Sequence, residues 1–146
     1  MSTSFSNDWE GFTKATATAN RLNKIIVFDA LSKARITHVI VGFDGEGDQG
    51  QMERAAPRND GREVEFPAVT LSLWAAHFGC TELSARELVL QEAVEHLCYG
   101  YLDDRHGGWE IDEGSFGEFT FDVAVRTVTL DFYGRLIDTD YTNHIF

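Results

Sequence analysis

The stretch Gly42–Ala56, "GFDGEGDQGQMERAA", sets four carboxylates (Asp44, Glu46, Asp48 and Glu53) among four glycines. Asp44, Glu46 and Asp48 alternate, as in loops that wrap Ca²⁺ with oxygen ligands. An EF-hand loop counted from Asp44 needs glycine at its sixth position and a bidentate glutamate at its twelfth. Gln49 and Ala55 stand there instead. Asp44, Asp48 and Glu53 together suit Mg²⁺ or Mn²⁺, and with such an ion the loop would serve phosphoester hydrolysis. "GDQG" has Gln49 where acyl transfer needs a nucleophile, so that chemistry has no support. The competing reading is a glycine-rich turn between two strands, its acids capping backbone amides.

A second cluster lies in "YLDDRHGGWEIDEGSFGEF", Tyr101–Phe119. His106 beside Asp103, Asp104 and Glu110 has the makings of a metal pair or of an acid/base pair for the hydrolase reading. The spacing matches no zinc motif, and no cysteine stands beside the histidine. The plainer reading is a helix C-terminus where Arg105 or His106 faces the negative end of the dipole. Trp109, between glycines and acids, is either a plug closing the sheet end or an exposed anchor. His38, His77, His96 and His144 are isolated in sequence, and His38 in a strand reads as structural.

Charge is the strongest global signal. The chain of 146 residues carries a net −12. Residues 1–43 hold 3 acids and 5 bases, whereas residues 82–140 hold 14 acids and 4 bases. Direct nucleic-acid binding needs a basic footprint and is excluded. A basic partner surface is attracted by such a field. The residues expected to dock on it are Glu87, Glu95, Asp103, Asp104, Trp109, Glu110, Asp112, Glu113 and Glu118. Solubility alone is the competing reason for the acidity. A homodimer joined through Trp and Phe residues is a further reading.

These side chains need elements to hold them. Residues 7–34 read as helix, capped by Asn7 or Asp8. Trp9, Phe12, Leu22, Ile25, Ile26, Phe28 and Leu31 supply its apolar positions, and "TKATATAN" admits a break near Ala19–Asn20. "ITHVIVGF" (Ile36–Phe43) reads as a buried strand, and "QMERAA" begins another. Asp60-Gly61 signals a hairpin, and Pro67 an edge or a break. "TELSARELVLQEAVEHLCYGYLDDRH" reads as helix from a Ser84–Glu87 capping box, with Leu90, Val94, Leu97 and Tyr101 as its stripe. Cys98 on that face acts as a small hydrophobe. "GEFTFDVAVRTVTLDFYG" reads as a hairpin of two alternating strands. The final "RLIDTDYTNHIF" packs back or stays loose.

The fold expected is α+β: an antiparallel sheet of about four strands with helices packed on one face, in a single domain spanning residues 1–146. No apolar run approaches the roughly 20 residues that cross a bilayer, and the N-terminus lacks a secretory pattern. Two cysteines make no disulfide framework, so a reduced, cytoplasmic setting is expected.

"ITHVIVGFDGEGDQGQME" and "LCYGYLDDRHGGWEIDEGSFGEFTFDVAVRTVTLDF" together resemble a family of small bacterial proteins known only as a domain of unknown function and carried on plasmids and prophages. The resemblance runs from about Lys24 to Phe132, most of the chain. Members often have serine where this chain has Gln49, so any chemistry of that serine would be lost here. The resemblance implies a mobile-element setting, in which small acidic proteins act against host defence. The expected function is therefore a non-enzymatic acidic module that needs no cofactor. It docks on a basic nucleic-acid-binding surface of a partner, as anti-CRISPR or anti-restriction inhibitors do. The metal-dependent hydrolase is the alternative.

Overall fold

The computed structural model describes residues 4–46, 49–77, 82–105, 115–134 and 140–146. The first helix, α1 (Ser4–Lys33), runs unbroken through "TKATATAN". Thr16 Oγ1 donates to the Phe12 carbonyl at 2.8 Å, so this weak helix former is satisfied within the helix. Ala19, Asn23, Val27, Phe28 and Leu31 form the buried face. Leu22 and Ile25, expected in the apolar stripe, are 37% and 53% exposed. The buried stripe follows Asn23, a polar residue that an apolar count passes over. The helix closes on Arg35 in the left-handed region (φ 59°), with Ile36 N–H donating to the Leu31 carbonyl at 3.0 Å.

Among the described residues the main sheet is antiparallel and has seven strands rather than about four. β1 (His38–Glu46) continues past Phe43 into the acid–glycine stretch. It pairs with β2 (Gln49–Met52) in a register that sets Glu46 opposite Gln49, so only residues 47 and 48 connect the two strands. The stretch read as a metal loop or a turn is thus largely the two arms of a tight hairpin. β3 (Ala56–Asn59) and β4 (Arg62–Glu63) form the hairpin that Asp60-Gly61 predicts. Both turn residues have positive φ (49° and 83°), as a type I′ turn requires. β7 (Ser115–Asp122) and β8 (Thr127–Gly134) are the expected alternating pair. The C-terminal segment packs back as β9 (Asp140–Ile145) on β8. The strand order is β4-β3-β1-β7-β8-β9, with β2 beside β1.

A separate two-stranded sheet joins β5 (Thr70–Ala75) and β6 (Ser84–Val89). Here the capping-box reading is corrected. Ser84–Val89 is strand, because all six residues pair with β5 and Leu88 turns inward opposite Leu71. Helix α2 (Leu90–Arg105) starts only afterwards, where Leu90 N–H donates to the Val69 carbonyl. Pro67 falls before β5, as a break.

Both helices cover the same face of the main sheet. Phe28 of α1 lies 5.8 Å from Phe121, and Tyr101 of α2 lies 6.3 Å from Phe119, ring centre to ring centre. Phe119 and Phe121 alternate along β7 and so share that face. Leu90, Ala93, Val94, Leu97, Cys98, Tyr101 and Leu102 are all buried, as the stripe on α2 predicts. Val39, Val41, Phe43, Val128, Leu130 and Phe132 complete the core from the sheet. The fold class, α+β, is as expected.

Candidate functional site

The strand register assigns the other face of the main sheet. Even-numbered residues of β1 and β7 point away from the helices, and odd-numbered residues of β8 and β9 join them. One row across four strands reads Asp44, Phe116, Tyr133 and Tyr141. The next reads Gly42, Glu118, Asp131 and Asn143, and a third Ile40, Thr120, Thr129 and Ile145.

The first row is a ladder of rings. Phe116 and Tyr133 stack at 4.9 Å and 9°, and Tyr133 and Tyr141 follow at 4.9 Å and 42°. The second row is acidic. Glu53 N–H donates to the Gly42 carbonyl at 2.8 Å, and the Glu53 carboxylate lies where a Cβ on Gly42 would stand. Gly42 thereby lets a third carboxylate lie across β1, beside Glu118 and Asp131 on the next two strands. Neighbouring strands are about 4.8 Å apart, so these like charges are close and mutually unfavourable. Asp131 Oδ1 is partly relieved: it accepts from Tyr141 Oη at 2.7 Å and from Asn143 Nδ2 at 2.6 Å. The first of these bonds holds the Tyr141 phenol above its ordinary pKa.

At the far end of this face, His38 Nε2 lies 3.8 Å from Asp122 and Nδ1 lies 3.1 Å from Thr37 Oγ1. The residue types suggest a nucleophile relay, but the Thr37 hydroxyl is committed. It donates to the Arg58 carbonyl and accepts from Asp60 N–H. The group is a strap for the β3–β4 hairpin, in keeping with a structural His38.

The residues singled out in the sequence fall in several places. β1 and β7 pair directly, with Gly45 opposite Ser115, so the described ends of the two acidic segments lie side by side. Asp44 and Glu118 sit on the open face. Glu95 turns inward on α2, where it accepts from Ala55 N–H at 3.2 Å and Gln91 Nε2 at 3.3 Å. Glu87 stands on the outer face of β6, opposite Ser72. Asp103 and Asp104 are in the last turn of α2. Asp48, His106, Trp109, Glu110, Asp112 and Glu113 lie outside the described residues. Among the described residues no three of His, Cys, Asp and Glu are placed to share a metal ion.

Phe116, Asp131, Tyr133, Tyr141 and Asn143 were not picked out as site residues from the sequence. The signal for three of them was the strand alternation: once Phe119, Val128 and Phe132 face the core, Phe116, Asp131 and Tyr133 face away. Tyr141 and Asn143 needed the C-terminal segment to be read as a strand.

Among the described residues no helix is long and apolar enough to cross a membrane. No curated protein and no solved structure matches the chain. A family model does match it, over residues 19–146, and the chain belongs to that family, DUF6878, a family of unknown function.

Proposed function

We propose that the protein is a non-enzymatic acidic binding module whose open sheet face docks on a basic surface of another protein, one that ordinarily holds nucleic acid. The placement of Glu53, Glu118 and Asp131 in adjacent positions on a face that neither helix covers carries this reading. Three neighbouring carboxylates are a cost to the isolated chain, and a cationic partner removes it. The aromatic row beside them offers ring faces for guanidinium groups. The net charge of −12 adds long-range attraction. A plasmid or prophage setting, with a host-defence protein as the partner, fits this chemistry.

The test is capture of an arginine-rich peptide, followed by calorimetry at rising salt. Affinity is expected to fall at least about tenfold between 0.05 and 0.5 M NaCl. The double reversal Glu118→Lys with Asp131→Lys is expected to abolish binding, and single-stranded DNA to compete for the peptide. Binding that ignores salt and the double reversal refutes the reading. Loss of binding on reversal of Asp103 and Asp104 alone moves the interface to the end of α2.

A further inference from the structure

On the helix side of the molecule, a cleft of about 710 Å³ opens between the N-terminal half of α1, the end of β5 and α2. Its walls are aromatic: Phe12, Trp74, Tyr101 and Phe146. Tyr101 and Phe146 stack face to face at 4.3 Å and 12°, which makes one wall flat. The space exists because small residues, Ala17, Ala76 and Gly100, stand where larger ones would fill it. A Cβ on Gly100 would touch only Asn20 Oδ1, at 4.0 Å.

We propose that this cleft binds a neutral, planar aromatic small molecule carrying a hydrogen-bond donor. Its volume is in the range of ligand sites, which are mostly apolar with a few convergent polar groups. Asn20 and His96 are polar groups here, with the hydroxyls of Thr13 and Thr16, the latter already donating to the Phe12 carbonyl. Burial, with Arg86 nearby, pushes the His96 imidazole below its ordinary pKa, so it is neutral at pH 7 and has an acceptor nitrogen to offer. Among the described residues the lining holds no Asp, Glu, Lys or Arg, and Arg86 stands outside it, so an ionic ligand would lose its hydration without a counter-charge in the lining itself. The cleft lies on the face of the sheet opposite the carboxylate row, and the proposal does not depend on what that row binds.

The probe is N-phenyl-1-naphthylamine, neutral and with one N–H, whose fluorescence rises in apolar sites. The full chain is expected to show saturable, single-site enhancement. Gly100→Leu and Ala17→Trp should each weaken binding at least about tenfold by filling the space. Ala17 is at an exposed helix position, so its variant keeps the fold even if Gly100→Leu does not. His96→Leu should weaken binding about three- to tenfold, the loss of one hydrogen bond. The sulfonated analogue 8-anilinonaphthalene-1-sulfonate should bind at least about tenfold more weakly than the neutral probe. Absence of saturable binding overturns the site, and so does undiminished binding to a folded Ala17→Trp variant. Equal affinity for the sulfonate overturns the neutral class.

Discussion

Asn23 is 1% exposed, and its amide serves the free edge of β5 as a neighbouring strand would. Nδ2 donates to the Trp74 carbonyl at 2.9 Å, and Oδ1 accepts from Trp74 N–H at 2.7 Å. One side chain thus satisfies both outward backbone groups of Trp74 and ties α1 to the small sheet. Asn23→Ala leaves both groups buried and unpaired. It should cost about 2–4 kcal/mol, read as a lower urea midpoint at unchanged m. A loss under about 0.5 kcal/mol would mean that water takes over the pair. His96 supplies a pH-dependent prediction. Its folded-state pKa lies below the unfolded value of 6.5, so the unfolded chain binds the proton first as pH falls. The stability it leaves intact above about pH 6.5 is therefore lost progressively below it. The drop in unfolding free energy from about pH 7 to pH 5 should be shallower in His96→Gln, and superimposed profiles would refute the shift. Neither residue is legible from sequence. An apolar count skips Asn23, and His96 looks isolated until α1 and β5 close around it.

Between elements, the paired strands depend on two glycines with different neighbours. A Cβ on Gly117 would run into the Asp131 carbonyl and the Phe43 ring. Phe43 also packs on Phe119 at 5.6 Å and Phe132 at 6.0 Å, so the ring has nowhere to go. A Cβ on Gly42 would meet only the end of the Glu53 side chain, which is exposed and can swing aside. Gly117→Ala should therefore destabilise by about 1–3 kcal/mol or more, and Gly42→Ala by less than about 1 kcal/mol. Thermal unfolding of the two variants checks the order, and equal melting temperatures would refute this account of the β1–β7 contact. Elements with one strong periodicity were legible: the stripe on α2, the alternation of β7 and β8, and the Asp60-Gly61 turn. Ser84–Val89 was not, because a Ser…Glu spacing that suits a helix start also suits a strand whose backbone is taken by β5. The acid–glycine stretch showed its turn chemistry, but only the register shows that its carboxylates line strand arms next to β7.

Across the whole molecule, apolar burial and charge are divided between the two faces of the main sheet. The helices bury one face, and the other gathers Asp44, Glu53, Glu118 and Asp131 in a chain that is already strongly acidic. The total charge is plain in the sequence, but its focus is not. It depends on Gly42 admitting Glu53 and on β8 setting Asp131 opposite Glu118. If this repulsion is retained for binding, relieving it should stabilise the free protein and weaken the complex together. Glu118→Gln removes the middle charge while keeping its size. It should gain about 0.2–1 kcal/mol, or roughly 1–4 °C in melting temperature, when measured in about 20 mM salt. In 0.5 M NaCl the Debye length is about 4–5 Å, and much of the gain should vanish because the wild type is already screened. The same substitution should weaken capture of the arginine-rich peptide. A variant that is less stable at low salt would mean that Glu118 makes a favourable contact instead, and the carboxylate row would lose its part in docking. A more stable variant with undiminished peptide affinity would separate the two, leaving the repulsion real and the interface elsewhere on the molecule.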